Sequence, residues 1–151
     1  MTYFMVSDDE TYRKMEVSPG RVPGIHKLHV LADDGTSFLP LRRIAGDDPM
    51  GILYIGASMS LPDRVASLRK AANAAYRIGP DTDPTVHPCG RKLASNNKLR
   101  SMFQYRRLCI TVEQCRSGPE DFEMKQGHYQ LEWSHLQSYC ELYGEFPPLN
   151  G

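Results

Sequence analysis

The chain has 151 residues, 40% hydrophobic and 24% charged, with a formal net charge of zero. That length suits one domain with its own core, and this balance of apolar and charged residues excludes a disordered chain. No run of about 18 apolar residues occurs, so no membrane span is expected.

The first residues, "MTYFMVSDDETYRKM", turn acidic after six positions and lack a basic leader, so no signal peptide is expected. Cys89, Cys109, Cys115 and Cys140 form no CxxC pair and read as reduced thiols of a cytoplasmic protein. A zinc site on His87 and Cys89 is a weak signal, against a loop histidine and an idle cysteine.

In chain order, Ser7-Asp8-Asp9-Glu10 has the spacing of a capping box and predicts a short helix. "SPGRVPG" (18–24) is a breaker cluster. "IHKLHVL" (25–31) alternates as a strand does, and the turn "ADDG" follows. "TSFLPLRRI" (36–44) is extended, with Pro40 keeping it from a sheet centre. "AGDDPMG" (45–51) reads as a loop and "ILYIGAS" (52–58) as a strand. The first half therefore forms a small antiparallel sheet.

Ser60 is placed to cap a helix with Pro62 in its first turn, running to residue 78 and stopped by Gly79-Pro80. Residues 81–97 read as a loop, "NKLRSMFQYRR" (97–107) fits helix or strand, and "LCITVEQC" (108–115) reads as a strand. The stretch 118–144 begins as a loop and becomes a second long helix, ended by Gly144. "FPPLNG" (146–151) is an extended tail. The expected class is α+β, a small antiparallel sheet flanked by helices, with residues 1–22 as an N-terminal extension of a domain at 23–151.

Charge is unevenly spread. Residues 64–107 carry ten Lys/Arg against Asp81 and Asp83, a net +8, while the flanks carry −3 and −5. Such a stretch is an electrostatic footprint for a polyanion, with Arg69, Lys70, Arg91, Lys92, Lys98 and Arg100 as candidate contacts. A solvated face that pairs internally with the acidic ends explains the charge equally well.

Two charged residues fall on apolar helix faces. At 100° per residue His128, His135, Leu136, Tyr139 and Tyr143 lie within about 60° of Glu132. A buried carboxylate needs a partner or a metal. Leu68, Ala71 and Ala75 lie within about 40° of Arg64. The two inward charges form a salt bridge, or leave a gap for a metal ion and a phosphate.

At these residues the sequence resembles the GIY-YIG nucleases. Tyr54-Ile55-Gly56, then "ASMSLPDR" ending in Arg64, matches the family's "YIGxxxxLxxR". "PGIHKL" (23–28) is similar to the first motif, "LEWSHLQSY" with Glu132 to the metal-binding helix, and "YGEFPPLN" with Asn150 to the tail. Four motifs in order span nearly the whole chain. Two features depart from the pattern: His26 stands where the family has tyrosine, and the gap between the first two motifs is long.

The resemblance implies a GIY-YIG-like nuclease domain and a metal-dependent DNA endonuclease of restriction or phage type. Glu132 would hold Mg²⁺ or Mn²⁺, Arg64 would bind the phosphate, and Tyr54 would orient or deprotonate the water. His26 would assist from the neighbouring strand, and Asn150 would orient the site. His87 would contact the phosphate or protonate a leaving group, or has no role. A single site cuts one strand, so a double-strand break needs a homodimer or two encounters. The rival expectations are a structure-specific repair nuclease, a catalytically weakened nucleic-acid-binding protein with His26 as its mark, and a structural protein in which Glu132 and Arg64 pair.

Overall fold

The computed structural model describes residues 3–10, 22–115 and 127–151. The fold is α+β. Four antiparallel strands, β1 (Phe4–Met5), β2 (Gly24–Val30), β5 (Ile52–Ser58) and β6 (Leu108–Gln114), form the main sheet in the order β1-β6-β2-β5. A small hairpin of β3 (Leu41–Arg43) and β4 (Gly46–Asp48) stands apart from it. Among the described residues four helices flank the sheet: α1 (Leu61–Tyr76), α2 (Pro88–Ser95), α3 (Asn97–Met102) and α4 (Gly127–Tyr143). None of the described helices is long and apolar enough to cross a membrane.

Strand β2 is buried nearly throughout, because helices cover both faces of the sheet. Successive side chains alternate between faces. Leu28 and Val30 join Leu68 and Ala72 of α1 and Leu93 of α2 in one core. Lys27, one position before Leu28 and so on the other face, instead meets His135 of α4. Strand β1 adds an edge: Phe4 pairs with Ile110, and Val6 just beyond it is fully buried in the same core. Residues ahead of position 23 thus contribute to the sheet and to the core.

Several local expectations are corrected. Residues 45–51 are not only a loop, since β4 pairs with β3 there. The 81–97 loop contains α2, which starts with Pro88 in its first turn and His87 as its cap. Gly90 lets that helix press on α1: a Cβ there would sit 2.2 Å from the Pro84 carbonyl and 2.5 Å from the Ala71 methyl. The ambiguous stretch 97–107 begins as helix α3.

The other corrections concern element ends. Helix α1 stops at Tyr76, because Arg77 turns left-handed at φ 57°. Ser60 occupies the cap position of α1, yet its hydroxyl makes no cap bond. The Ser58 hydroxyl closes that turn by accepting the Ser60 N–H at 3.0 Å. At the N-terminus Asp8, rather than Ser7, takes the capping hydrogen bond, from the Glu10 N–H at 3.0 Å. The helix expected beyond Glu10, most of the 18–24 breaker cluster and the loop expected before α4 lie outside the described residues. The tail ends in a turn, with the Asn150 N–H on the Pro147 carbonyl.

Asp48 joins the hairpin to the main body. Its fully buried carboxylate accepts the Met50 and Ile52 N–H groups, each at 2.8 Å, and the Tyr139 hydroxyl at 3.1 Å. Removing it strands the buried Tyr139 hydroxyl and two half-buried backbone donors. Asp48→Ala is expected to cost about 3–5 kcal/mol in urea unfolding, and Asp48→Asn, which keeps one acceptor oxygen, clearly less. A loss below about 1 kcal/mol for Asp48→Ala would show that these contacts contribute little.

Candidate active site

The site forms where β2 and β5 run side by side. His26 pairs with Gly56 across the ladder, and Leu28 with Tyr54. Residues 26, 54 and 56 therefore share a face. Gly56 is needed for that arrangement: a Cβ would lie 2.6 Å from Tyr54 Cε1 and 2.8 Å from His26 Cε1. Both rings lean into the space it leaves.

A third ring completes the cluster. His87 has no exposed surface, and its ring centre lies 5.3 Å from those of both His26 and Tyr54. Its Nε2 is 3.1 Å from Nε2 of His26. Its Nδ1 accepts the Cys89 N–H at 3.2 Å, which caps α2. His26 is also fully buried, and its Nδ1 has no partner.

Arg64 and Glu132 approach this cluster from different helices. One turn into α1, Arg64 is half-buried, and its Nε is buried without a hydrogen-bond partner. It borders an open cavity of about 400 Å³ lined also by Ser58, Ser60, Asp63 and Ser67. Glu132, half-buried on α4, has its carboxylate near enough to the Ala57 N–H, at the rim of β5, for that dipole to favour its anion. The two charges attract one another, yet neither joins an ion pair among the described residues. Asn150 grips the same strand: its Oδ1 accepts the Ile55 N–H at 2.9 Å and its Nδ2 donates to the Ile55 carbonyl at 2.8 Å.

Burial sets the protonation states. The Tyr54 phenol is pushed up to about 12 by desolvation, with Arg64 pulling only partly back. It is therefore a hydroxyl donor at neutral pH, and orienting water suits it better than deprotonating it. His26 and His87 are both pushed down to about 3, chiefly by burial, with Arg64 opposing a second positive charge. Burial also raises the Glu132 carboxyl, while the Ala57 N–H and Arg64 favour its anion.

The structure places His87 as a fully buried cap of α2 rather than in an open loop, with Nδ1 on the Cys89 N–H and Nε2 facing His26. The basic segment is also partly spent inside the fold. Arg69 donates to the Val6 carbonyl at 3.0 Å and pairs with Asp9. Arg100 donates to the Leu93 and Ala94 carbonyls at 2.5 and 2.6 Å, closing the end of α2. Lys92 donates to the Gly151 carbonyl. Lys70, Arg91 and Lys98 remain exposed.

A divalent cation can be tested against the donors present. Among the described residues no group of three or more His, Cys, Asp or Glu side chains converges. That does not suit zinc, which takes three or four protein ligands. Mg²⁺ and Mn²⁺ are content with one or two carboxylates plus water, and the single half-buried carboxylate of Glu132 fits them.

The depressed histidines carry a pH dependence. The unfolded chain, with histidines near 6.5, takes up protons before the folded one does. The stability tied to neutral His26 and His87 is therefore complete above 6.5 and lost as pH falls towards 3. At pH 5 the loss is roughly 2 kcal/mol for each. Urea unfolding at pH 7 and pH 5 measures it, and ring-proton NMR assigns it. A His26 or His87 resonance titrating near 6.5 would contradict the buried, neutral pair.

No family model, no curated protein and no solved structure matches this chain. What the site does has to be read from its own chemistry.

Proposed function

We propose that the protein is a metal-dependent DNA endonuclease of the GIY-YIG type. One observation carries the proposal: residues from four motifs spread over 23–150 meet around a single strand. Tyr54 and Gly56 lie on β5, His26 pairs with Gly56, the Glu132 carboxylate lies near Ala57, and Asn150 brackets Ile55. Arg64 adds a buried Nε that lacks a partner, which a phosphate oxygen would satisfy.

In this reading Arg64 binds the scissile phosphate as a fixed charged fork. The Tyr54 hydroxyl orients the attacking water. Glu132 is the protein ligand for the cation, which when bound lowers the pKa of a water and neutralises charge on the phosphate and leaving oxygens. Asn150 holds β5 in place and acts through that strand. Restriction-type or phage-type cleavage remains our reading of the biological class.

The test is a supercoiled-plasmid assay with Mg²⁺ or Mn²⁺. The wild type should nick or linearise the plasmid. EDTA, Glu132→Ala or Arg64→Ala should each reduce cleavage by on the order of 10²-fold or more. A wild type that leaves plasmids and branched DNA intact with either metal would overturn the proposal. A second reading has one observation in its favour: no side chain of the ring cluster is basic enough to hold a proton taken from water at neutral pH. It is a nucleic-acid-binding protein with weakened catalysis, and it predicts a gel shift without cleavage.

Both readings place DNA phosphates against the exposed Lys70, Arg91 and Lys98. Replacing all three with alanine should weaken binding evenly across sequences. It should also flatten the plot of log affinity against log salt by roughly 0.9 per residue. An unchanged slope would remove these residues from the interface.

A further inference from the structure

The buried histidine pair admits one arrangement of protons. The Cys89 backbone N–H always donates, and it points at His87 Nδ1 at 3.2 Å. That nitrogen must carry a lone pair. Neutral His87 therefore bears its proton on Nε2, which lies 3.1 Å from His26 Nε2. A hydrogen bond at that distance needs a lone pair on the His26 side. Neutral His26 is left with its proton on Nδ1. The opposite arrangement would turn two N–H groups towards one another between His87 and Cys89, and so would a protonated His87.

We propose that His87 is a positioning residue that locks His26 in the Nδ1–H tautomer, so that His26 serves the site as a hydrogen-bond donor to an oxygen and never as its base. A second observation points the same way. His26 Nδ1 is buried with no partner, and a buried N–H in a native structure has an acceptor. The ring atom bonded to it, Cε1, faces the space left by Gly56, beside Tyr54. The acceptor that fits this fully enclosed place is an uncharged oxygen, that of a buried water. Arg64, the charged group acting on both imidazoles, opposes protonation of either ring.

The tautomer stands on hydrogen-bond geometry alone, whereas the use of the donor rests on the nuclease reading. Two measurements keep them separate. The first is two-bond ¹H–¹⁵N correlation NMR of the full chain at neutral pH. His87 should give the Nε2–H pattern and His26 the Nδ1–H pattern. A His26 with its proton on Nε2, or a rapid mixture of both tautomers, would overturn the proposal.

The second measurement compares variants of His87. His87→Ser keeps a good cap for α2 but removes the donor to His26. His87→Gln keeps a donor of similar reach. In the serine variant the fold should survive by circular dichroism, His26 should relax to a tautomer mixture, and nicking should fall on the order of 10²-fold. The glutamine variant should restore most of both. Equal tautomer patterns and equal rates in wild type and serine variant would reduce His87 to a helix cap. Were all three proteins inactive on DNA, the nuclease reading would fail, and the NMR comparison would still decide the tautomer.

Discussion

The open edge of β5 is the constraint on which the remaining structure depends. This strand lies at the margin of the sheet, so half of its backbone groups have no neighbouring strand. Unpaired N–H and C=O groups near a core are costly, and bare edges invite foreign strands. Here the C-terminal part of the chain claims them. The Leu149 N–H bonds to the Leu53 carbonyl, Asn150 takes both polar groups of Ile55, and the Glu132 carboxylate lies near the Ala57 N–H. Covering the edge also delivers Glu132 and Asn150 to Tyr54 and Gly56. The requirement that stabilises the strand is the one that assembles the site.

A similar economy governs the other side of the cluster. Helix α2 must start somewhere, and the group that caps it is an imidazole rather than a serine or aspartate. Capping uses one nitrogen of His87 and leaves the other to face His26. The close approach of α2 to α1 at Gly90 sets the depth at which His87 sits. Packing of two helices thus fixes a ring deep in the site, without any loop being asked to hold it.

Local pattern carried much of this fold. The apolar run at 52–58 and the alternation at 25–31 announced β5 and β2. Ser60, Pro62 and Gly79 bracketed α1 to within a few residues, and the wheel brought Arg64 and Glu132 inward. What stayed hidden depended on partners distant in sequence. Asp48 looks like a turn residue until Tyr139 and the Ile52 N–H meet it. His87 looks like a loop residue until the Cys89 N–H and His26, 61 positions away, occupy it. Arg69 and Arg100 count as surface charge in a composition and act as backbone caps in the structure. A tally of charge cannot separate a cation that is spent from one that is available.

The protonation states give the site a particular electrical character. Burial keeps the two imidazoles and the phenol uncharged at neutral pH. Arg64 and Glu132 are left as the charged side chains beside them, attracting one another without forming an ion pair. Two opposite charges held apart and half-buried are only partly solvated, which leaves room for a counter-ion at each. In the proposed nuclease reading, the guanidinium is matched by an oxyanion and the carboxylate by a small cation, and a metal-bound phosphate would supply both at once. The neutral rings between them contribute hydrogen bonds that can orient such a group without adding net charge. Their neutrality, which at first argues against catalysis, is what keeps the attraction for an ion pair undivided.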